Sequence, residues 1–248
     1  MNRCIHILAL VLIFGSLHAQ SGRMKGDTDI SPYLHASWDS LLKAHVSNDG
    51  MVNYKGFLED RESLRSYLSE LSETPPQPNW TREARLAYFI NLYNAGTIAM
   101  ILENYPVKSI RDIKRPWGRK WIQVGEDLYS LGDIEHKILR KMEDPRIHFA
   151  INCASFSCPP LPKQAFTEAE VESQLEGVTR AFINDPQRNV ICPEKAQVSK
   201  IFKWFRADFE SAGVSLLDYL NRYTDKRLKP STPIEFLPYD WSLNESVQ

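Results

Sequence analysis

What this sequence lacks narrows its chemistry first. There is no glycine-rich phosphate loop and no Gly-x-Ser-x-Gly elbow, so neither nucleotide cradling nor the serine-hydrolase turn has its usual carrier. Paired Cys-x-x-Cys units and a His-Glu-x-x-His pattern are also missing, which removes the common zinc sites and gives no reason to expect a metal or cofactor. No internal repeat or low-complexity tract is visible, and no stretch is poor enough in apolar residues to stay unfolded. Neither sign of charge is in excess: 30 Lys+Arg stand against 31 Asp+Glu, a formal net charge of −1, which does not favour nucleic-acid binding. The only long apolar run, residues 4–17, is shorter than the roughly 20 residues of a comfortable membrane span.

That run is better read as an export signal. A short basic start at Arg3 precedes it and Ala19 follows it, so cleavage is expected after Ala19, with a periplasmic or extracellular protein as the result. Cys4 comes too early for a lipid-modified cysteine behind a signal. Removing residues 1–19 takes away Arg3 and leaves 29 basic against 31 acidic residues, a net charge of −2. Three of the four cysteines remain, Cys153, Cys158 and Cys192. An odd number in a compartment where disulfides persist leaves one thiol free or paired outside the chain.

The 248 residues fit one large domain able to bury roughly 70–75% of its unfolded surface. Residues 20–30 read as a flexible leader and residues 31–248 as the domain. Ser31 and Pro32 cap a first helix, with Leu34, Trp38, Leu41 and Leu42 on its buried face, and a second amphipathic helix covers residues 58–71. Residues 51–54 suit a short strand or extended arm. After a proline-rich linker, residues 86–102 are apolar on nearly every side, the mark of a helix surrounded by other elements. Asn91, Asn94 and Thr97 line one stripe of it; they either clamp the backbone of neighbouring loops or line a pocket.

The basic stretch 108–120 contains Pro116 and Gly118 and is expected as a loop, either solvated or at the rim of a site for an anion. Residues 121–130 form a hairpin, and Ser130 with Asp133 makes a capping box that starts the next helix. Glu135 falls within that helix's apolar stripe, with His136 at its edge; a carboxylate there must be paired, neutral or open to a cleft. Arg146 is a candidate partner. Residues 199–209 read as one amphipathic helix with an aromatic core face. The elements add up to an α+β fold: a mostly helical single domain packed on a small mixed or antiparallel sheet, with residues 86–102 as the central buried helix.

The densest chemistry lies in residues 147–161, which alternate like a strand before two prolines. If Cys153 is a nucleophile it needs a base in reach. On a strand, His148 would stand about 16 Å away on the opposite face, so His136 is the freer partner, with Glu135, Asn91 or Asn94 orienting it. The candidate catalytic set is Cys153, His136, Glu135 and His148, and the candidate binding set is Asn91, Asn94, Asn152, Ser155 and Arg146. Other readings remain: a Cys153–Cys158 or Cys158–Cys192 disulfide, or a buried inert thiol.

Several segments together resemble the family known as domain of unknown function 547: Tyr88-Phe89-Ile90-Asn91-Leu92-Tyr93-Asn94-Ala95, Tyr105-Pro106-Val107-Lys108-Ser109-Ile110, Asp133-Ile134-Glu135-His136-Lys137-Ile138-Leu139-Arg140, Pro145-Arg146-Ile147-His148-Phe149-Ala150-Ile151-Asn152-Cys153-Ala154-Ser155, Cys158-Pro159-Pro160-Leu161 and Ser199-Lys200-Ile201-Phe202-Lys203-Trp204-Phe205. They follow one another in family order. The resemblance implies a single domain and no particular reaction; glutaredoxin-like fusions among relatives lean toward thiol chemistry. The expected function is a secreted or periplasmic cysteine-dependent hydrolase or acyl transferase, loosely papain-like or transglutaminase-like, acting on a small-molecule or peptide ligand. The alternative is a non-catalytic periplasmic binding module with a polar pocket.

Overall fold

The computed structural model describes residues 34–246. The expected signal peptide, the leader and the Ser31–Pro32 cap lie outside the described residues. Helix α1 (Ala36–His45) buries Trp38, Leu41 and Leu42 at helical spacing, and α3 (Arg61–Glu73) buries Leu64, Tyr67 and Leu71. The two meet through parallel stacking of Trp38 on Tyr67, ring centroids 5.7 Å apart. Between them, Val52 makes bridges to Val46 and Glu245 as the extended arm requires. Tyr54 instead opens the short helix α2 (Tyr54–Glu59), because the Asn53 side chain accepts from the Gly56 N–H and caps it.

Helix α4 (Arg82–Asn104) is the central element. The Thr81 hydroxyl caps it by accepting from the Ala84 N–H, and residues on all its faces are buried, as its uninterrupted apolar pattern demands. The hairpin β1 (Ile122–Val124) and β2 (Asp127–Tyr129) pairs Ile122 with Tyr129. Gly125 turns it at φ +58° and ties it to the end of α3 through its N–H to the Ser72 carbonyl, 2.9 Å. The Ser130–Asp133 capping box is formed in full at the start of α5 (Leu131–Asp133). The helix does not then continue regularly: residues Ile134–Ile138 form a π-helical turn and Leu139–Met142 a 3-10 turn, ended by Glu143 at φ +56°.

Residues 147–150 correct the strand expectation. They form a helical turn, α6 (Ile147–Ala150), whose four side chains are all buried. Asp144 and Pro145 start it: the Asp144 carboxylate accepts from the Arg146 N–H, and successive bonds run from Ile147 N to Asp144 O and from His148 N to Pro145 O. Alternation carries no information about a segment buried on every side, whereas a cap residue followed by proline is a helix start.

The rest of the chain builds a second layer. Helix α7 (Val171–Ile183) buries Val171, Leu175 and Phe182. Strands β3 (Val190–Cys192), β4 (Lys195–Val198) and β5 (Ile234–Phe236) form a mixed sheet, β3 antiparallel and β5 parallel to β4. The expected helix over residues 199–209 is two single turns, α8 (Ile201–Trp204) and α9 (Arg206–Phe209), broken at Phe205. Helix α10 (Leu216–Tyr223) closes the layer. The fold is thus α+β and mostly helical, with one two-stranded and one three-stranded sheet. Among the described residues, no helix is long and apolar enough to cross a membrane.

Two hydrophobic clusters result, one around α1–α4 and one among α7–α10 and the mixed sheet. Helix α6 belongs to both: Ile147 and Ala150 face the first cluster, Phe149 the second. The chain leaving α6 therefore emerges at the seam between them.

Candidate functional site

At that seam lies a cavity of about 220 Å³ whose lining includes Glu135, His136, His148, Cys153 and Cys158. The residues after α6 are held by asparagines. Asn94 of α4 donates to the Ala150 carbonyl (2.9 Å) and accepts from the Asn152 N–H (2.8 Å). The Asn152 side chain accepts from the Ala154 N–H (2.7 Å) and donates to the Pro159 carbonyl (2.7 Å), tying together both ends of the loop. Ala154, between them, is fully buried with φ +61°, a left-handed conformation costing a residue with a Cβ about 1–2 kcal/mol. Backbone strain thus sits beside the Cys153 thiol and is sustained by this clamp.

Cys153 and Cys158 are both free thiols, their sulfurs 2.8 Å apart. Neither the Cys153–Cys158 nor the Cys158–Cys192 disulfide is present; the Cys192 thiol donates to the Lys195 carbonyl. Around the Cys153 sulfur stand the Cys158 thiol, the Ser155 hydroxyl (3.2 Å) and the Tyr239 hydroxyl (3.7 Å). The hydrogen bond from Cys158 is the main influence, and together with Ser155 and Tyr239 it outweighs burial and lowers the Cys153 pKa to about 6. Burial and the neighbouring thiolate push Cys158 the other way, well above the ordinary thiol range. The shared proton therefore lies toward Cys158, and Cys153 has the greater thiolate character of the two.

Opposite them, the π-helical turn places Glu135 on the cavity wall. Such a turn inserts a residue into the helix and re-aims the side chains that follow. The Glu135 carboxyl is buried and, among the described residues, meets the Tyr93 hydroxyl at 3.4 Å and the His136 ring at 4.0 Å. Burial, reinforced by the Cys153 thiolate, raises its pKa to about 7. The expected Arg146 pairing does not form: Arg146 binds Asp144 and Glu172, each at 2.7 Å. His136 is half-exposed, its pKa lowered by burial and by Arg140.

His148 is the better-held histidine. Its Nε2 lies 2.8 Å from Asp208, whose other contacts are two 2.7 Å bonds from Arg140. Burial opposes ionisation of Asp208, but the bonds from Arg140 and His148 dominate and keep its carboxyl well below the usual range. An ionised carboxylate only accepts, so Nε2 carries the hydrogen and Nδ1 is left as the acceptor. The ring stacks on Phe205 at 3.9 Å, and burial lowers its pKa, keeping it neutral.

Of the residues singled out in the sequence, the cavity brings together Cys153, His148, Glu135 and His136, with Ser155 touching the thiol. The separation of His148 from Cys153 inferred from strand geometry does not apply, because residues 147–150 form a helical turn rather than a strand. Asn91, Asn94 and Asn152 are scaffold: Asn91 clamps Phe166 at both its N–H and carbonyl, as Asn94 clamps the loop before Cys153. Arg146 lies in an ion cluster outside the cavity lining. Asp208, Trp117, Trp204, Tyr239 and Trp241 escaped the sequence reading as site residues; the aromatic and basic character of 199–209 was a signal for Trp204 alone. Trp204, Tyr239 and Trp241 pack together with ring centroids 4.6–5.7 Å apart and form an aromatic wall. Among the described residues, no group of three or more His, Cys, Asp or Glu is placed to hold a metal ion.

Residues 77–183 match the model of a family described as "Protein of unknown function, DUF547". The match spans α4 through α7, and so contains Glu135, His136, His148, Cys153 and Cys158 but neither Asp208 nor the aromatic wall. No curated protein and no solved structure matches the chain.

Proposed function

We propose that the protein is an exported cysteine-dependent hydrolase or acyl transferase with Cys153 as its nucleophile. The observation that carries this reading is one cavity lined by an activated thiol, a carboxylate-held neutral histidine and a carboxyl that titrates near neutrality. Cys153 attacks an acyl carbonyl carbon, a sulfur–carbon bond forms, and the bond to the leaving group breaks. Glu135, which keeps a protonated fraction at neutrality, gives the departing group its proton. In the second step His148 Nδ1 takes a proton from water, or from an acceptor hydroxyl or amine, which then displaces sulfur and frees Cys153; His148 afterwards gives up that proton and Glu135 regains one through solvent, restoring the starting state. Asp208 and Arg140 act through His148, fixing its tautomer and orientation. His136 and the aromatic wall border the entrance and contact the substrate.

The test is a panel of activated thioesters and esters with small aliphatic or aromatic acyl groups, read by intact mass. Acylation is expected on Cys153 and absent in Cys153→Ser. His148→Asn should accumulate the acyl-enzyme, and Glu135→Gln should slow its formation. If no member of the panel labels Cys153 while compounds quench the wall tryptophans saturably, the non-catalytic binding module is the correct reading.

A further inference from the structure

The two sulfurs offer more than acyl chemistry requires. A nucleophilic cysteine needs a donor nearby, and Ser155 and Tyr239 already supply hydroxyls. Cys158 adds a second thiol at contact distance, held there by a loop with little freedom. Its N–H donates to the Ser155 carbonyl (3.0 Å), Asn152 grips the Pro159 carbonyl that follows, and Arg188 binds the Cys158 and Phe156 carbonyls at 2.8 and 3.0 Å. The Cys153 N–H also points to the Cys158 sulfur, 3.1 Å away. Access to the pair is unequal: Cys153 is partly exposed on the cavity wall, whereas Cys158 is 5% exposed behind it. A reagent entering the cavity meets Cys153 first and Cys158 only through it.

The geometry points to a second activity in the same cavity: thiol–disulfide exchange with small disulfides, Cys153 attacking and Cys158 resolving. In the first step the Cys153 thiolate attacks one sulfur of a disulfide RSSR, forming Cys153–S–S–R and releasing RS⁻, which takes a proton from solvent. Burial and the Cys153 charge both hold the proton on Cys158; the charge is now removed, and Cys158 gives its proton to solvent in the cavity. Its thiolate attacks the Cys153 sulfur, forms the Cys153–Cys158 bond and expels the second RS⁻. Two protein thiols are oxidised and one external disulfide is reduced to two thiols. An external dithiol reverses the sequence and restores the pair. The exchange uses neither His148 nor an acyl carbonyl, so it stands independently of the hydrolase reading.

The experiment uses the reduced full chain and 2-hydroxyethyl disulfide at pH 7, followed by intact mass, peptide mapping and thiol release. The protein is expected to lose two hydrogens, to map a Cys153–Cys158 disulfide, and to release two thiols per chain with only a transient adduct. Cys158→Ser should stall with a stable hydroxyethylthio adduct on Cys153, and Cys153→Ser should form neither product. A Cys192→Ala control should behave as the parent chain does. A lasting adduct on Cys153 of the unmodified chain, or a first adduct on Cys192, overturns the proposal. The unmodified chain decides the matter even if a cysteine variant fails to fold. Disulfide closure without acyl labelling leaves the exchange standing and removes the hydrolase; acyl labelling without closure does the reverse.

Discussion

The asparagines of α4 and Glu135 of the facing π-helical turn are all buried polar groups, yet they differ in how they are satisfied. Asn91 and Asn94 each donate one bond and accept another, closing on backbone groups of the loops they hold. Glu135 has one long contact to Tyr93 and a distant histidine. A fully bonded polar group is indifferent to solvent and serves the fold, while an under-bonded carboxyl holds its proton and can surrender it to a reacting group. The contrast separates scaffold from site across a few ångströms of one core.

The most damaging way to probe it is Asn94→Ala. Two backbone groups would lose their partners at once, at roughly 1–3 kcal/mol each, so urea unfolding should show a loss of about 2–5 kcal/mol. A loss near zero would break the distinction, since Asn94 would then be no clamp.

Glu135→Gln should act through pH instead. The folded pKa of Glu135, about 7, lies above its ordinary 4.5, so the folded chain holds this proton more tightly than the unfolded one. Its contribution is full below about pH 4.5 and is lost as the pH rises through 7, a change of roughly 3 kcal/mol. Unfolding curves at pH 4.5 and pH 8 should therefore diverge for the parent chain by about that much more than for Glu135→Gln. Parallel pH dependence would place Glu135 among the satisfied groups.

Cys158→Ala sharpens the comparison at the thiol. With its main hydrogen-bond donor gone, the midpoint of Cys153 alkylation should rise from about 6 toward the ordinary thiol value near 9, as followed by iodoacetamide labelling against pH. Cys158→Ser keeps a donor and should move it less. The smallest effect belongs to His136→Ala at the half-exposed rim, where a stability change within about 0.5 kcal/mol is expected. The Cys153 alkylation midpoint should also stay in place, and a large shift would make His136, rather than Cys158, the group that sets the thiol.

Much of the scaffold could be read from local chemistry. The Ser130–Asp133 capping box, the turn at Gly125 and the all-round apolar face of α4 declare themselves within a few residues, and the structure contains each. The asparagine stripe was legible as a polar line on a buried helix, though not which loops it would grip. Residues 147–150 alternate like a strand yet are helical, because the Asp144–Pro145 start sets a helical turn and burial on every side empties the alternation of meaning. The single aromatic helix over residues 199–209 proved to be two turns, a break that sends Phe205 to the cavity and leaves Trp204 46% exposed.

The sequence by itself determined which residues could do chemistry, the thiols, the histidines and Glu135, because a side chain's reactivity is intrinsic to its type. It also determined much of the scaffold around them, because caps, turns and hydrophobic periodicity act over a single turn, but not the helical turn under His148 or the π-helical turn under Glu135. Only the tertiary structure decided which of these groups share a cavity. Asp208 is 60 residues from His148 and Tyr239 is 86 from Cys153, so their pairing depends on how two hydrophobic clusters close around α6. The same closure settles the proton inventory, since burial and the charges it brings near separate the two thiols and lift Glu135 toward neutrality.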